Sequence, residues 1–592
     1  MMDLNRMPNW GRLAIARLVT PGRVSSRHGL AKSFIEATRQ NGPEFFAGGD
    51  RPTNLGIGCE REEGGARLNI TYLGHAGLFV ETEQGSILCD PWFNPAYFGS
   101  WWPFPANDRI DRSRFSHPTY LYISHLHHDH FDPLFLKDEV DPQTTVLLPD
   151  YPITAMRDAL SQLGFHYQVT LAAGQVTRLP TGLKVAIWPL VAPADGPLGD
   201  SYLWIDDGST RVLNLNDAHP RDLEAVLRLG RLDALFLQFS GAIWYPMVYD
   251  LPREQKASLG AVKRVAGMRR AEMFIHLLKP KAVFPSAGPA AFLDDDLFEW
   301  NDFNRDDTNT FPDQTVFLDH LAARGIDEGH LVLPGSKIEL GPQTAQIEHH
   351  LEPGETIASI FEDKRGYLQR YQRRVRGRLE AEHASWPLPP PDLFARLRRR
   401  LAPIMHVADL TAEQIGADIV LDWGGEGARL DFIHRKVVPW HGGPSRYYFR
   451  VNPALITACL DQRLDDWVNS LFLSFRFRAR RDGEYNEAVY TFFKCLSPER
   501  IQFAEGYWIE QHPDNELWLC QDYWVQRRCP HMKADLQRFA TVDDNQILTC
   551  HMHGWRFDLK TGQCLNSHNR TIYRRPVRQA KEDDRVVEGP LP

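Results

Sequence analysis

The residues Ser124-His125-Leu126-His127-His128-Asp129-His130 carry the pattern His-x-His-x-Asp-His directly behind the apolar run Tyr120-Leu121-Tyr122-Ile123. An apolar run that stops abruptly at a polar cluster predicts a buried strand delivering a loop to its tip. At such a tip His125 and His127 can turn toward one metal ion, while Asp129 and His130 reach a neighbouring position. Imidazole suits zinc, iron, copper and nickel, and an added carboxylate moves the choice toward zinc or non-haem iron. The remainder of the chain has to supply a scaffold that holds this loop and the ligands missing from it.

Upstream the pattern is strand, turn, strand: Leu68-Asn69-Ile70-Thr71-Tyr72-Leu73, then Gly74-His75-Ala76-Gly77, then Leu78-Phe79-Val80-Glu81. A third strand, Ser86-Ile87-Leu88-Cys89, ends in Asp90-Pro91-Trp92. Strands this close together, followed by the histidine cluster and a helix, predict a layered α/β sandwich with its active edge where the strands end. Gly74-His75-Ala76-Gly77, Asp90-Pro91-Trp92 and the 125–130 cluster together resemble the metallo-β-lactamase fold, in the branch of lactonases and phospholipid phosphodiesterases, over about Leu68 to Leu340. The resemblance implies an αββα sandwich and a two-metal site completed by two further histidines and a bridging aspartate.

Asp217, at the end of Val212-Leu213-Asn214-Leu215-Asn216, stands at the bridging position. Where the family has its next histidine the chain reads Ala194-Asp195-Gly196-Pro197-Leu198-Gly199-Asp200, so Asp195, ahead of Asp200, is the expected replacement. The last histidine has no counterpart in Pro285-Ser286-Ala287-Gly288. The second metal position therefore loses a ligand, which leaves Asp129 and His130 in a vestigial site or as partners of the first. The first position becomes His125, His127 and Asp195 or Asp217. Two histidines and a carboxylate with open positions are the arrangement of non-haem Fe(II) oxygenases.

The C-terminal region carries Cys529-Pro530-His531 and, after 18 residues, Cys550-His551-Met552-His553-Gly554-Trp555. This resembles the Rieske cluster motif. It implies a two-iron, two-sulfur cluster with Cys529 and Cys550 on one iron and His531 and His553 on the other, at a potential of roughly −150 to +300 mV. A zinc site of two cysteines and two histidines is the structural rival. Trp524-Val525 before the first pair and Gly554-Trp555-Arg556-Phe557-Asp558 at the second continue the Rieske pattern instead. The extra cysteine pair of respiratory-chain Rieske proteins is missing, which implies the oxygenase or ferredoxin type.

Hydrolysis needs no electrons, whereas hydroxylation with O2 takes two from outside. The usual Rieske oxygenase holds iron on Asp-x-x-His-x(3 or 4)-His, and the nearest approach here, Asp431-Phe432-Ile433-His434, has its next histidine only at His441. The mononuclear non-haem Fe(II) is therefore expected in the modified metallo-β-lactamase site, with zinc as the alternative metal. That pairing resembles the family of cytidine monophosphate N-acetylneuraminate hydroxylases. The resemblance lies in Asp200-Ser201, Asn216-Asp217, Phe239-Ser240-Gly241-Ala242 with Trp244-Tyr245-Pro246, and Phe284-Pro285-Ser286-Ala287-Gly288. That family places its Rieske domain first, and here it comes last.

The expected function is a monooxygenase that inserts one oxygen atom from O2 into a small polar or acyl-bearing metabolite, with His125, His127 and Asp217 as its catalytic set. Electrons come from a reductase, a ferredoxin or a b-type cytochrome, and His531 or His553 faces the His125 loop within one chain or across a dimer interface. The alternative is a phosphodiesterase- or lactonase-type hydrolase with a redox-regulatory cluster.

A chain of 592 residues has room for three or four domains. The expected architecture is α+β and multidomain: a leader (1–66), the catalytic sandwich (67–345), a helical and proline-rich linker (346–402), an α+β domain of unknown role (403–500) and an all-β Rieske domain (501–592). In the fourth of these, Leu473, Phe475 and Phe477 alternate with Ser474, Arg476 and Arg478 in a predicted strand. Arg476 and Arg478 would then share one face, open to an anionic substrate or serving edge-strand solubility. The run Arg398-Arg399-Arg400 reads as a solvated helix face. A net charge of −9 argues against nucleic-acid binding. No apolar stretch reaches membrane-span length, no secretory signal is seen, and eight cysteines form no disulfide framework, so the cytoplasm is expected.

Overall fold

The computed structural model describes residues 68–577 without 192–195, 242, 304–308, 342–344, 511–515, 531–533, 553 and 567–570, and of 508–510 the backbone alone. The expected leader lies outside the described residues. In chain order the first strands are β1 (Leu68–Gly74), β2 (Gly77–Thr82), β3 (Gly85–Cys89), β4 (Tyr120–Tyr122), β5 (Thr145–Pro149), β6 (Gln168–Leu171) and β7 (Thr177–Arg178). Then come β8 (Lys184–Pro189), β9 (Ser201–Asp206), β10 (Arg211–Asn214), β11 (Ala234–Gln238), β12 (Ala282–Ser286), β13 (Lys337–Leu340) and β14 (Ala345–Glu348). They form two sheets, of order β14-β13-β1-β2-β3-β4-β5-β6 and β12-β11-β10-β9-β8-β7.

Period-two alternation divides each strand between two cores. Ile70, Tyr72 and Leu147 meet Ile205, Val212 and Phe236 between the sheets. Residues of the opposite parity point outward. Leu73, Leu121 and Val146 pack under the helices Pro133–Glu139 and Ala155–Gln162. Leu213, Leu235 and Val283 pack under Arg253–Leu278 and Gln314–Ala322. The result is the αββα sandwich of the metallo-β-lactamase fold. Strands β3 to β6 run parallel, as do β10 to β12, and their carboxyl ends open along one edge, where such sheets bind ligands.

The helix Lys364–Ser385 seats Tyr367, Leu368 and Tyr371 against Trp102 and Phe104, so this part of the segment read as a linker is packed onto the sandwich. A third sheet follows, formed by β15 (Asp418–Asp422), β16 (Gly427–Asp431), β17 (Lys436–Trp440), β18 (Tyr447–Val451) and β19 (Phe477–Arg481) in the order β17-β16-β15-β18-β19. The strand expected over 471–478 is corrected: Val468–Phe472 is a π-helical turn, Phe475 has φ 58°, and β19 begins only at Phe477. Leu471, Phe472, Leu473 and Phe475 are all buried, so consecutive residues wrap a corner of the core where a strand would send every second one out. Arg476 is consequently buried against Asp294 at 3.0 Å and donates to the Phe98 carbonyl, while Arg478 stays exposed, its guanidinium 5.3 Å from the Trp300 ring centre. In the basic run Arg400 pairs with Asp465, and Arg398 and Arg399 are exposed.

The C-terminal module comprises β20 (Leu517–Cys520), β21 (Tyr523–Gln526), β22 (Ala540–Val542), β23 (Ile547–Cys550), β24 (Trp555–Asp558) and β25 (Arg574–Pro576), in two three-stranded sheets, β20-β21-β25 and β22-β23-β24. It closes the outer core of the second sandwich sheet: Cys529, Phe539, Cys550 and Met552 join Met268 and Phe274. Glu224 of the sandwich pairs with Arg527 at 3.3 Å and Arg538 at 2.8 Å. Among the described residues no helix is long and apolar enough to cross a membrane.

The helix Arg253–Leu278 lies between sandwich and module, and Gly267 sets how closely it approaches. A Cβ at Gly267 would stand 2.9 Å from the Phe239 carbonyl oxygen, a backbone atom just past β11. Gly267→Ala gains helix propensity of up to about 1 kcal/mol but forces the helix off the strand end at about 1–3 kcal/mol. We expect a net loss of stability and a lower thermal midpoint, measurable by calorimetry.

Candidate metal centre and cluster site

Four side chains converge at the open edge from four places in the chain. His125 and His127 follow β4, Asp200 precedes β9, and Asp217 follows β10; one ligand atom from each lies within 4.8 Å of the others. His125 Nε2 stands 3.7 Å from Asp200 Oδ1, 3.9 Å from Asp217 Oδ2 and 2.7 Å from His127 Nδ1. Asp200 thus occupies the carboxylate position for which Asp195 was first expected, and Asp195 lies outside the described residues.

Asp129 and His130 form a second group, and the third member is His75 from the β1–β2 turn. His75 Nε2 is 3.1 Å from Asp129 Oδ2, and His130 Nε2 is 3.4 Å from Asp217 Oδ2, so Asp217 reaches both groups. Sequence reasoning used His75 only as part of a fold signature. Its turn has φ 52° at His75, and its carbonyl accepts from the Tyr72 hydroxyl and from Ala287 N–H, both at 2.8 Å, which turns the imidazole inward. The Gly74-His75-Ala76-Gly77 motif was the available signal; what it lacked was the contact with Ala287 on the other sheet.

Further residues hold these ligands in place. Asp90, at the end of β3, accepts from Ser124 N–H at 2.7 Å and lies 3.1 Å from His130 Nδ1. Ser124 Oγ lies 2.9 Å from His125 Nδ1, and the Tyr97 hydroxyl donates to Asp129 Oδ1 at 2.5 Å. Burial together with Asp129 pushes the Tyr97 phenol well up, so it remains a donor. Ser201 Oγ donates to the Ser124 carbonyl at 2.7 Å, and Asn216 donates to the Ser201 carbonyl at 2.9 Å, tying the Asp217 turn to the histidine loop. Ligands oriented by such partners keep one tautomer and one ring angle.

The electrostatics fit metal ions. Among the described residues Asp90, Asp129 and Asp217 pair with no lysine or arginine, only with histidines. His130 Nε2, Asp217 Oδ1 and both ring nitrogens of His75 are buried without a hydrogen-bond partner among those residues. Burial pulls His125 well down, aided by His127 and His130, and pulls His127 down to about 4 against Asp466, Asp217 and Asp129. Both imidazoles are therefore neutral, as ligation requires. Burial opposes a charge on His130, yet Asp217 and Asp129 outweigh it and hold this ring well up. Buried carboxylates demand compensating positive charge, which this proton supplies and a metal ion could replace.

The domain built on the third sheet packs against the sandwich near the centre, where its Asp466 and Lys494 act on the charge of His127. Trp244 meets Phe472 and Phe477 edge-on, both at 5.5 Å, and stacks on Tyr490 at 6.4 Å. Gly196, beside the Asp200 loop, is so close that a Cβ there would lie 3.2 Å from Cys495 Sγ.

In the C-terminal module Cys529 follows β21, Cys550 ends β23, and both are buried. His531 and His553 lie outside the described residues. His551 is turned aside, with Nε2 2.7 Å from Thr541 Oγ1, which leaves the other histidine of that loop for a cluster. Cys529 N–H donates to the Ala534 carbonyl at 2.9 Å and Gly554 N–H to the Cys550 carbonyl at 2.8 Å, two closed turns of the kind that present a thiolate. The donor set of two buried cysteines at loop ends, each with a histidine two or three residues on, fits a two-iron, two-sulfur cluster.

Residues 393–510 match a family described as the Rv3818-like, SCP2-like domain, and residues 514–574 match the Rieske 2Fe-2S domain. The chain is similar to Rv3818 of Mycobacterium tuberculosis strain H37Rv, named as a Rieske 2Fe-2S iron-sulfur protein: 44% identical over 512 residues, 85% of this chain and 99% of the relative. It is 24% identical over 237 residues to the inactive cytidine monophosphate-N-acetylneuraminic acid hydroxylase of Homo sapiens, covering 37% of this chain and 45% of the relative. Among solved structures, CmlA, a diiron β-hydroxylase of Streptomyces venezuelae, has 18% identity over 46% of this chain and 54% of that one, at a TM-score of 0.31.

Removing a ligand separates the two groups. His75→Ala is expected to lower the metal content by about one ion per chain, and Asp200→Ala to weaken binding at the first group by more than about tenfold. Elemental analysis after equilibrium dialysis reads both.

Proposed function

The chain belongs to the family of Rv3818-like Rieske iron-sulfur proteins, and from that premise we propose that it is an O2-dependent monooxygenase acting on a small polar or acyl-bearing metabolite. The observation that carries this reading is the bond between its two sites. The turn that bears Asp217 continues to Arg221, whose carbonyl accepts from Asp535 N–H at 3.1 Å, and Asp535 lies six residues beyond Cys529 in the same loop. A ligand turn and a cluster loop joined directly make a short route for electrons within one chain.

Iron at the sandwich edge, when bound, supplies O2 chemistry, and the cluster supplies electrons one at a time. The balance is one substrate C–H, one O2, two electrons and two protons giving one C–OH and one water. His125, His127 and Asp217, with Asp200 as a further carboxylate, would hold the first ion. His75, Asp129 and His130, with His130 Nε2 3.4 Å from Asp217 Oδ2, would hold a second ion, so the single-iron expectation widens to two candidate metal positions. Ser124 and Asp90 fix the imidazoles, and the Tyr97 hydroxyl donates a hydrogen bond to Asp129 Oδ1, leaving Oδ2 toward His75. The SCP2-like domain packs Phe472, Phe477 and Tyr490 around Trp244 of the sandwich. The electron donor is a reductase, a ferredoxin or a b-type cytochrome that docks on the Rieske domain.

One observation favours a second reading. Two ligand groups sharing a carboxylate also suit a two-metal hydrolase of phosphodiesterase or lactonase type, with the cluster as a redox regulator.

Single-turnover kinetics separate the two. The cluster is reduced without oxygen, then mixed with O2 and a cellular pool of small metabolites, and its absorbance is followed. Reoxidation is expected to be first order and independent of protein concentration, and to slow by more than about tenfold in His125→Ala, which keeps its cluster. Reoxidation that ignores His125→Ala supports the hydrolase.

A further inference from the structure

The helix Arg253–Leu278 belongs to the sandwich, yet one of its side chains ends at the Rieske domain. Arg270 is 9% exposed, and its Nη1 donates to the Met552 carbonyl at 3.0 Å. Met552 lies between Cys550 and His553, in the loop that bears half of the cluster's ligands. Among the described residues no carboxylate pairs with Arg270, and its Nε is buried without a hydrogen-bond partner. A buried guanidinium with one carbonyl partner is costly unless another negative group faces it. Burial lowers its pKa to about 10, and the one group that opposes this is Cys550. Phe274, one turn further on, packs edge-on against Phe539 at 5.6 Å and holds the helix at this distance.

We propose that Arg270 is a positioning residue through which the sandwich sets the reduction potential of the docked Rieske cluster. The inference rests on the C-terminal domain carrying its cluster. With two thiolates, two neutral imidazoles and two sulfides, the cluster with both irons ferric is uncharged. One electron from the donor protein makes one iron ferrous and leaves one negative charge. A cation fixed in a dry interface attracts that charge with little screening by salt, so it favours the reduced form and raises the potential. Arg269, the preceding residue, also acts on His551 of this loop but is exposed, so salt screens its charge more than that of Arg270. The potential is thus a property of the docked pair: a Rieske domain lifted from the helix becomes the weaker electron acceptor, so the cluster takes its electron most readily where it can pass it on.

The test is a redox titration of the full-length, cluster-loaded protein, followed by the paramagnetic signal of the reduced cluster. Arg270→Gln keeps a donor for the Met552 carbonyl and removes the charge. It is expected to shift the one-electron equilibrium toward the oxidised form by about tenfold or more, a fall of about 59 mV. Arg270→Lys keeps the charge and is expected to stay near the wild type, as is Arg269→Gln. If Arg270→Gln takes up no cluster, Arg270→Met, which suits the apolar neighbours, is read in its place. A cluster-loaded Gln or Met variant at the wild-type potential overturns the proposal, as does a Lys variant that falls as far as Gln. A wild type without a cluster would instead remove the Rieske reading on which the proposal rests.

Discussion

Carboxylates and imidazoles buried together at the sandwich edge have to be held against their own repulsion and desolvation, and much of the surrounding structure follows from that need. The ligand-bearing turns sit at strand ends where the backbone is committed by two packed sheets. Several residues in or beside these turns adopt left-handed conformations without being glycine: His75 at φ 52°, Asp90 at 41°, Asn216 at 42° and Ala287 at 49°. Each costs of order 1–3 kcal/mol and persists only where its surroundings dictate it. The core between the sheets and the bonds from Tyr72, Ser124 and Ala287 supply that constraint.

Three bodies share this edge or its back. The SCP2-like domain is joined to it by an aromatic core in which Phe475 touches Trp101, Phe292 and Phe311, and the buried Arg476–Asp294 pair lies beside it. The Rieske domain covers the outer face of the second sheet, held by Phe539, Met552 and the arginines around Glu224. That attachment is made by surfaces, not by the chain's connectivity. A Rieske domain at the C-terminus is therefore compatible with the pairing that another family achieves with the domain first.

The histidine cluster was legible because four potential ligands stand within six residues behind an apolar run, and a strand of three residues is enough to deliver them. Asp217 was legible for the same local reason. His75 was not, since its role depends on where the β1–β2 turn lies relative to Ala287, a contact between sheets that no spacing encodes. Asp200 was ranked second to Asp195 because nothing in seven residues of loop says which carboxylate faces inward; the Tyr151 bond to the Gly199 carbonyl, at 2.6 Å, holds the Asp200 end of that loop, and Asp195 lies outside the described residues. The strand expected over 471–478 failed where alternation was chance: its apolar residues all turn into one core shared with the sandwich. The segment 403–500 read as α+β of unknown role because no motif within it names a chemistry.

The central claim is that O2 and external electrons are used at the His125 site. Its most direct test is to supply the full-length, metal-loaded protein with reductant, a cellular metabolite pool and isotopically labelled O2, and to follow the label by mass spectrometry. The account predicts one labelled oxygen in an organic product, in amounts that depend on reductant and are lost in His125→Ala. Product oxygen derived only from water, formed equally well without reductant, would contradict it.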